Sequence, residues 1–134
     1  MQLPPFELER YFARYEFSAR YLLSSSDCEA MTLNALLGMA DDQLRRLWDE
    51  LKLGYTESPG HPRLRTSIAG LYRDLDAEDT LVAAPEEGIF LSMHALLKPG
   101  DHVVCTFPGY QSLYEIPRAI GCRVSFWEPG ASDG

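Results

Sequence analysis

Leu81-Val82-Ala83-Ala84-Pro85-Glu86-Glu87-Gly88-Ile89-Phe90, then LSMHALL to Leu97, then Lys98-Pro99-Gly100-Asp101 and His102-Val103-Val104-Cys105-Thr106-Phe107-Pro108-Gly109-Tyr110, is the stretch whose reading decides the fold. A short apolar run, a turn, a helix-length segment, a Pro-Gly-Asp turn and a second β-branched run predict strand, helix, strand: one βαβ unit. Its two loops then open at one edge of a parallel sheet, where ligands of such sheets sit.

Working outward from it, the pattern predicts strands at Thr80–Ala84, Val103–Phe107 and Arg123–Trp127, with helices over about 86–97 and 111–120. Gly121 closes the second helix, and Pro117 inside it is expected to kink it or end it early. Upstream, Pro4 and Pro5 precede apolar residues at Leu8, Tyr11, Phe12, Tyr15, Ala19 and Leu22, which is helical spacing. The aromatic residues crowded into 6–21 suit either a helix stacked on a neighbouring element or an arm laid on a second subunit. Ser24-Ser25-Ser26-Asp27-Cys28-Glu29 breaks the period and is loop. Thr32 caps a short helix through Leu37, and Asp41 caps a longer one with Leu44, Leu47, Trp48 and Leu51 on one face, ended by Gly54. The segment Tyr55–Pro62, with Gly60 and two prolines, is irregular, and Pro62 starts a helix whose apolar face is Leu64, Ile68, Leu71, Tyr72 and Leu75.

Bulk properties narrow the function. The 134 residues include 20 acidic and 12 basic side chains, a formal charge of -8, which argues against nucleic acid or an anionic membrane as the main partner. An apolar content of 46% is ample for a core. The three cysteines, Cys28, Cys105 and Cys122, lack metal-ligand spacing, and an odd count suits a reducing compartment; all three read as small buried or half-buried fillers. The N-terminus MQLPPFELER lacks the basic and apolar regions of a signal peptide, and no run reaches membrane-span length, so a soluble cytoplasmic protein is expected.

Chemistry-bearing residues are few. The turn Ala84-Pro85-Glu86-Glu87-Gly88 leads from a strand into a helix N-terminus, where backbone N–H groups and the helix dipole favour an anion. Yet Pro85 has no N–H to donate, and Glu86 and Glu87 bring the negative charge that caps the helix themselves. His61, His94 and His102 are scattered, Ser112 has no nucleophile-elbow context, and GxGxxG and GKS/T motifs are absent. Tyr110, directly after a strand, can offer its face to a planar ring. Tyr55, at the head of a stiff loop, is either a packing residue or a fixed hydroxyl donor.

In order and spacing, Leu53-Gly54-Tyr55-Thr56-Glu57-Ser58-Pro59-Gly60-His61-Pro62-Arg63-Leu64-Arg65, Ala84-Pro85-Glu86-Glu87-Gly88-Ile89-Phe90, Leu96-Leu97-Lys98-Pro99-Gly100-Asp101-His102-Val103, Pro108-Gly109-Tyr110 and Ile120-Gly121-Cys122 resemble the N-terminal third of the class I/II aminotransferases, fold-type I pyridoxal-phosphate (PLP) enzymes. The resemblance covers residues from about 22 to 128. It implies an α/β chain: an N-terminal arm and small-domain helices over 1–54, then over 55–134 the first three strands (βαβαβ) of a PLP-binding large domain. By the same resemblance, Ala84, Pro85 and Glu86 stand at the cofactor-phosphate cradle, where the family commonly has Gly or Ser, then Gly or Ala, then a residue such as Ser, Thr or Lys. Tyr110 stands at the ring-stacking position, Tyr55 at the tyrosine that reaches a neighbouring subunit's phosphate, and Asp27 and Cys28 near the substrate carboxylate.

The Schiff-base lysine, the aspartate facing the pyridine nitrogen and the arginine for the substrate carboxylate belong to later parts of that family. The chain is therefore expected to be a truncated or split aminotransferase, silent alone, serving a parent that moves an amino group between an amino acid and a 2-oxo acid. A homodimer or a complementing C-terminal chain is the expected partner. Two further readings stay open: a non-catalytic interaction or dimerisation protein derived from the fold, and a PLP-dependent lyase.

Overall fold

The computed structural model describes residues 3–130. Its helices are α1 (Glu7–Tyr15), α2 (Leu33–Gly38), α3 (Asp42–Asp49), α4 (Pro62–Ala69), α5 (Pro85–Leu96) and α6 (Ser112–Ile120), and its strands β1 (His102–Thr106) and β2 (Arg123–Trp127). The strands pair in parallel, His102 opposite Arg123 through Thr106 opposite Trp127. The N–H of Arg123 donates to the Asp101 carbonyl and that of Phe107 to the Trp127 carbonyl, extending the ladder at both ends. Parallel neighbours need a crossover, and α6 supplies it, packing on both strands and on α5.

Local chemistry accounts for the helix starts. Thr32 accepts the Ala35 N–H at 3.2 Å and Asp41 the Leu44 N–H at 2.8 Å, so both capped helices begin where their sequence requires. Pro62 and Pro85 sit in first turns, where no N–H is needed. Gly121, at φ 103°, ends α6 in the left-handed conformation that glycine adopts without cost.

Several expectations are corrected. Residues 80–84 form no strand: the run is extended, but its N–H at Val82 donates to the Pro59 carbonyl at 2.9 Å, and a strand exists only where a neighbour supplies a ladder. The sheet of the described residues therefore has two strands rather than three, and the βαβ unit runs over 102–127 with α5 before it. Helix α1 ends at Tyr15, short of Ala19 and Leu22, because the Ser18 hydroxyl bonds back to the carbonyls of Arg14 and Tyr15 and offers the chain a turn instead. Helix α3 stops at Asp49 rather than at Gly54, and α4 stops at Ala69, leaving Leu71, Tyr72 and Leu75 exposed beyond it. Cys28 is exposed, not a filler, whereas Cys105 and Cys122 are buried.

Pro117 does not end α6 early: the helix runs on to Ile120. The ring removes the N–H that the Leu113 carbonyl requires, and the Cys105 thiol of β1 donates to that carbonyl instead, at 3.0 Å. Pro117 is fully buried there beside Cys105, Ile116 and Cys122, which form the small core between α6 and the sheet.

That core is thin. The chain exposes 11359 Å², about 1.6 times the roughly 7,100 Å² of a compact monomer of its mass. Much of the excess is apolar, including Leu53, Phe17, Leu23, Leu71 and Tyr21, each more than two-thirds exposed. Residues 16–32 and the apolar groove of Leu36, Leu37, Leu44, Leu47, Trp48 and Leu64 are likewise covered by little of the chain itself.

Candidate functional site

Three elements converge on the N-terminus of α5. The extended run 80–84 delivers Ala84 to the helix; its path is fixed by the Val82–Pro59 hydrogen bond and by buried Arg65, whose Nε donates to the Thr80 carbonyl at 2.8 Å. The loop after β1 delivers Tyr110, Gln111 and Ser112. Gly109 is needed in that loop because a Cβ there would lie 2.5 Å from the Thr106 carbonyl oxygen. The third element is the arm. Gln111 clamps it by donating from Nε2 to the Pro5 carbonyl and accepting the Glu7 N–H at Oε1, both at 2.9 Å, and Phe6 packs edge-to-face on Tyr110 with centroids 5.1 Å apart.

At the centre lies Glu86. The hydroxyl of buried Ser112 donates a bifurcated hydrogen bond to both of its carboxylate oxygens, each at 2.7 Å. The Glu86 carboxylate beside the Tyr110 hydroxyl, with desolvation and the charge of Glu9 behind it, pushes the Tyr110 phenol up to about 12. Glu87 reaches back to accept the Ala84 N–H at 3.3 Å. The cleft above these groups has a volume of about 530 Å³ and is lined by Leu3, Pro4, Phe6, Phe90 and Ile116, by Gln111 and Ser112, and by four carboxylates, Glu9, Glu86, Glu87 and Glu115. Lysine and arginine are absent from the lining, and Glu115 is paired with Arg118 at 2.8 Å.

A raised phenol pKa has a definite sign. The neutral tyrosine is favoured in the folded chain, so its contribution to stability is fully present below about pH 10 and is lost as pH rises through about 12. In an ultraviolet titration of the phenols, a phase near pH 12 is expected, and in Glu86→Gln that phase moves toward 10. An unchanged titration curve in the variant would mean that Glu86 does not raise the Tyr110 phenol.

In solved structures, a PLP-dependent aminotransferase from Streptococcus suis 89-1591 superposes with a TM-score of 0.82 at 30% sequence identity, over 99% of this chain and 37% of its own. The chain is similar to PLP-dependent aminotransferases over nearly its whole length and corresponds to about a third of theirs. The PLP-dependent cyclase OrfR follows at a TM-score of 0.77 and 28% identity, over 96% of this chain and 34% of its own. YbdL of Escherichia coli, for which a methionine aminotransferase function is described, gives 0.55 and 25% over 66% of this chain and 25% of its own. The chain thus spans about a third of the length of the aminotransferases and the cyclase it matches. Neither a protein-family model nor a curated protein matches the sequence.

Of the residues that the aminotransferase resemblance singles out, the structure brings Ala84, Pro85, Glu86 and Tyr110 together. Tyr55 is fully exposed and lines a separate groove with Leu51, Lys52, Thr56, Glu57 and His61. Asp27 and Cys28 are exposed in the connector before α2. Ser112, Gln111, Phe6 and Glu9 enter the site unannounced: Ser112 bonds a residue 26 positions away and Gln111 one 106 positions away, and no spacing rule links them. Among the described residues no group of His, Cys, Asp and Glu is placed to hold a metal, and no helix is long and apolar enough to cross a membrane.

The turn does not fit the phosphate of PLP as it stands. Ala84 spends its N–H on Glu87, Pro85 has none, and the hydroxyl of Ser112 is spent on Glu86. A dianion placed there meets two carboxylates at a position without a cation.

Proposed function

We propose that this chain supplies the N-terminal third of a PLP-dependent aminotransferase and has no transaminase activity alone. The observation that carries this reading is the superposition of 99% of the chain on the Streptococcus suis aminotransferase at 30% identity. On this reading residues 1–54 are the arm and part of the small domain, and residues 55–134 open the large domain. Tyr110 lies beside the cofactor ring, Tyr55 reaches a neighbouring subunit, and Asp27 and Cys28 lie toward the substrate carboxylate. PLP chemistry uses a lysine amine and an acid facing the pyridine nitrogen. The two lysines here, Lys52 and Lys98, are exposed on connectors and absent from the cleft. The large apolar surface supports a partner, either a second copy or a chain carrying the remaining elements.

The test is reductive trapping. With PLP and borohydride, the mass of the purified chain is expected to show no stoichiometric adduct at any one lysine. Full labelling of Lys52 or Lys98 would sink the reading. A second reading, PLP chemistry other than amino-group transfer, is favoured by the 28% identity to the cyclase OrfR. Once the chain is assembled with a lysine-bearing partner, turnover that needs no 2-oxo acid would select it.

A further inference from the structure

Glu86 stands at the second position of α5, a helix of 12 residues whose N-terminal dipole stabilises negative charge. In this family resemblance that end of the helix faces a phosphate, yet the groups that could greet one are already engaged by the chain's own carboxylate. Ser112 is buried, at 6% exposure, and its single proton is shared between the two oxygens of Glu86. Pro85 withholds the donor of the first turn, and Glu87 takes the N–H of Ala84. The remaining charged groups of the cleft, Glu9 and Glu115, add negative charge, and Arg118 beside the cleft is paired with Glu115.

We propose that Glu86 is a built-in occupant of the anion turn of α5: its carboxylate, held by Ser112, keeps phosphate dianions out, and phosphate enters only where Glu86 is displaced or removed. Glu86 is thereby a specificity-determining residue, setting this turn against phosphorylated ligands in the isolated chain. The choice of PLP as a second probe rests on the function proposed above; the exclusion of inorganic phosphate does not.

The experiment is a titration of the full 134-residue chain with inorganic phosphate, followed by phosphorus NMR and compared among wild type, Glu86→Ala and Glu87→Ala, with folding checked by circular dichroism. Wild type is expected to show no saturable binding, and Glu86→Ala to bind phosphate saturably, with a Kd about tenfold or more below the weakest Kd the wild-type titration would detect. Glu87→Ala, which leaves the Ser112–Glu86 bond intact, is expected to gain far less. Equal affinity of wild type and Glu86→Ala overturns the proposal. So does an equal gain in Glu87→Ala, because the effect would then be net charge alone. If Glu86→Ala does not fold, Glu86→Ser is read in its place: it removes the carboxylate and frees the Ser112 hydroxyl, and the absence of any gain again overturns the proposal. Should a folded Glu86→Ala take inorganic phosphate but hold PLP no better, the role of Glu86 stands and the PLP reading falls.

Discussion

Gly60→Ala is expected to destabilise the chain by about 2–5 kcal/mol, because it combines two independent costs. Gly60 has φ of 111°, where an L side chain is strained, and a Cβ there would lie 2.6 Å from Val82 Cγ2 and 2.7 Å from Val82 Cβ. Those atoms are not the free end of a flexible side chain. Val82 is tied by its N–H to the Pro59 carbonyl at 2.9 Å, and the Gly60 N–H closes the same loop on the Glu57 carbonyl at 2.8 Å. Two residues beyond Val82 is Ala84, the entry to α5, so a displaced Val82 moves the turn that holds Glu86. Against a total stability of about 5–15 kcal/mol for an ordinary domain, and with a core this thin, the loss is a large fraction. Urea unfolding followed by circular dichroism measures it. Gly54→Ala is the control: nothing lies within 4 Å of a Cβ at Gly54, and its effect is expected to stay within about 0.5 kcal/mol. Equal midpoints for the two variants would mean that the loop does not set the path of 80–84.

The contrast between those glycines also shows what the sequence could tell. Caps and turn residues act over three or four positions, so Thr32, Asp41, Pro62 and Gly121 mark their helices correctly from the sequence alone. The parallel pair β1–β2 with its crossover was legible for the same reason: two β-branched runs flank a helix-length segment bounded by Pro108-Gly109 and Gly121. What pattern could not reveal is pairing. Thr80–Ala84 has the apolar run of a strand but makes its backbone bond to a loop, and alternation in sequence does not say what lies alongside. The site divides likewise. The convergence of Ala84, Pro85, Glu86 and Tyr110 follows from loops at the ends of neighbouring elements. The roles of Ser112, Gln111 and Phe6 depend on contacts across 26 to 106 positions, which leave no periodic trace. Pro85 and Glu86 were visible from the start as a poor anion turn, and the structure supplies the reason: the turn already holds an anion.

The same limit on local reasoning hides the donor that serves the Leu113 carbonyl beside Pro117, and it gives a second large effect. Cys105→Ala is expected to cost about 1–3 kcal/mol, because it leaves the Leu113 carbonyl inside α6 without the donor that replaces the missing proline N–H. Burial pushes the Cys105 thiol above its ordinary value, with the nearby Arg118 charge opposing, so the sulfur carries the proton it donates. A double-mutant cycle isolates this bond from simple loss of volume. Pro117→Ala removes a fully buried ring and is itself destabilising, but it restores a backbone N–H opposite the Leu113 carbonyl and makes the thiol redundant. Cys105→Ala should therefore cost less in the Pro117→Ala background than in wild type, by about 1 kcal/mol or more. Identical costs in both backgrounds would mean that Cys105 acts only by filling space. A difference of that size would mean that a proline in the middle of α6 is tolerated because a side chain from the adjacent strand completes the helix, and that β1 and α6 form as one cooperative unit beneath Tyr110 and Ser112.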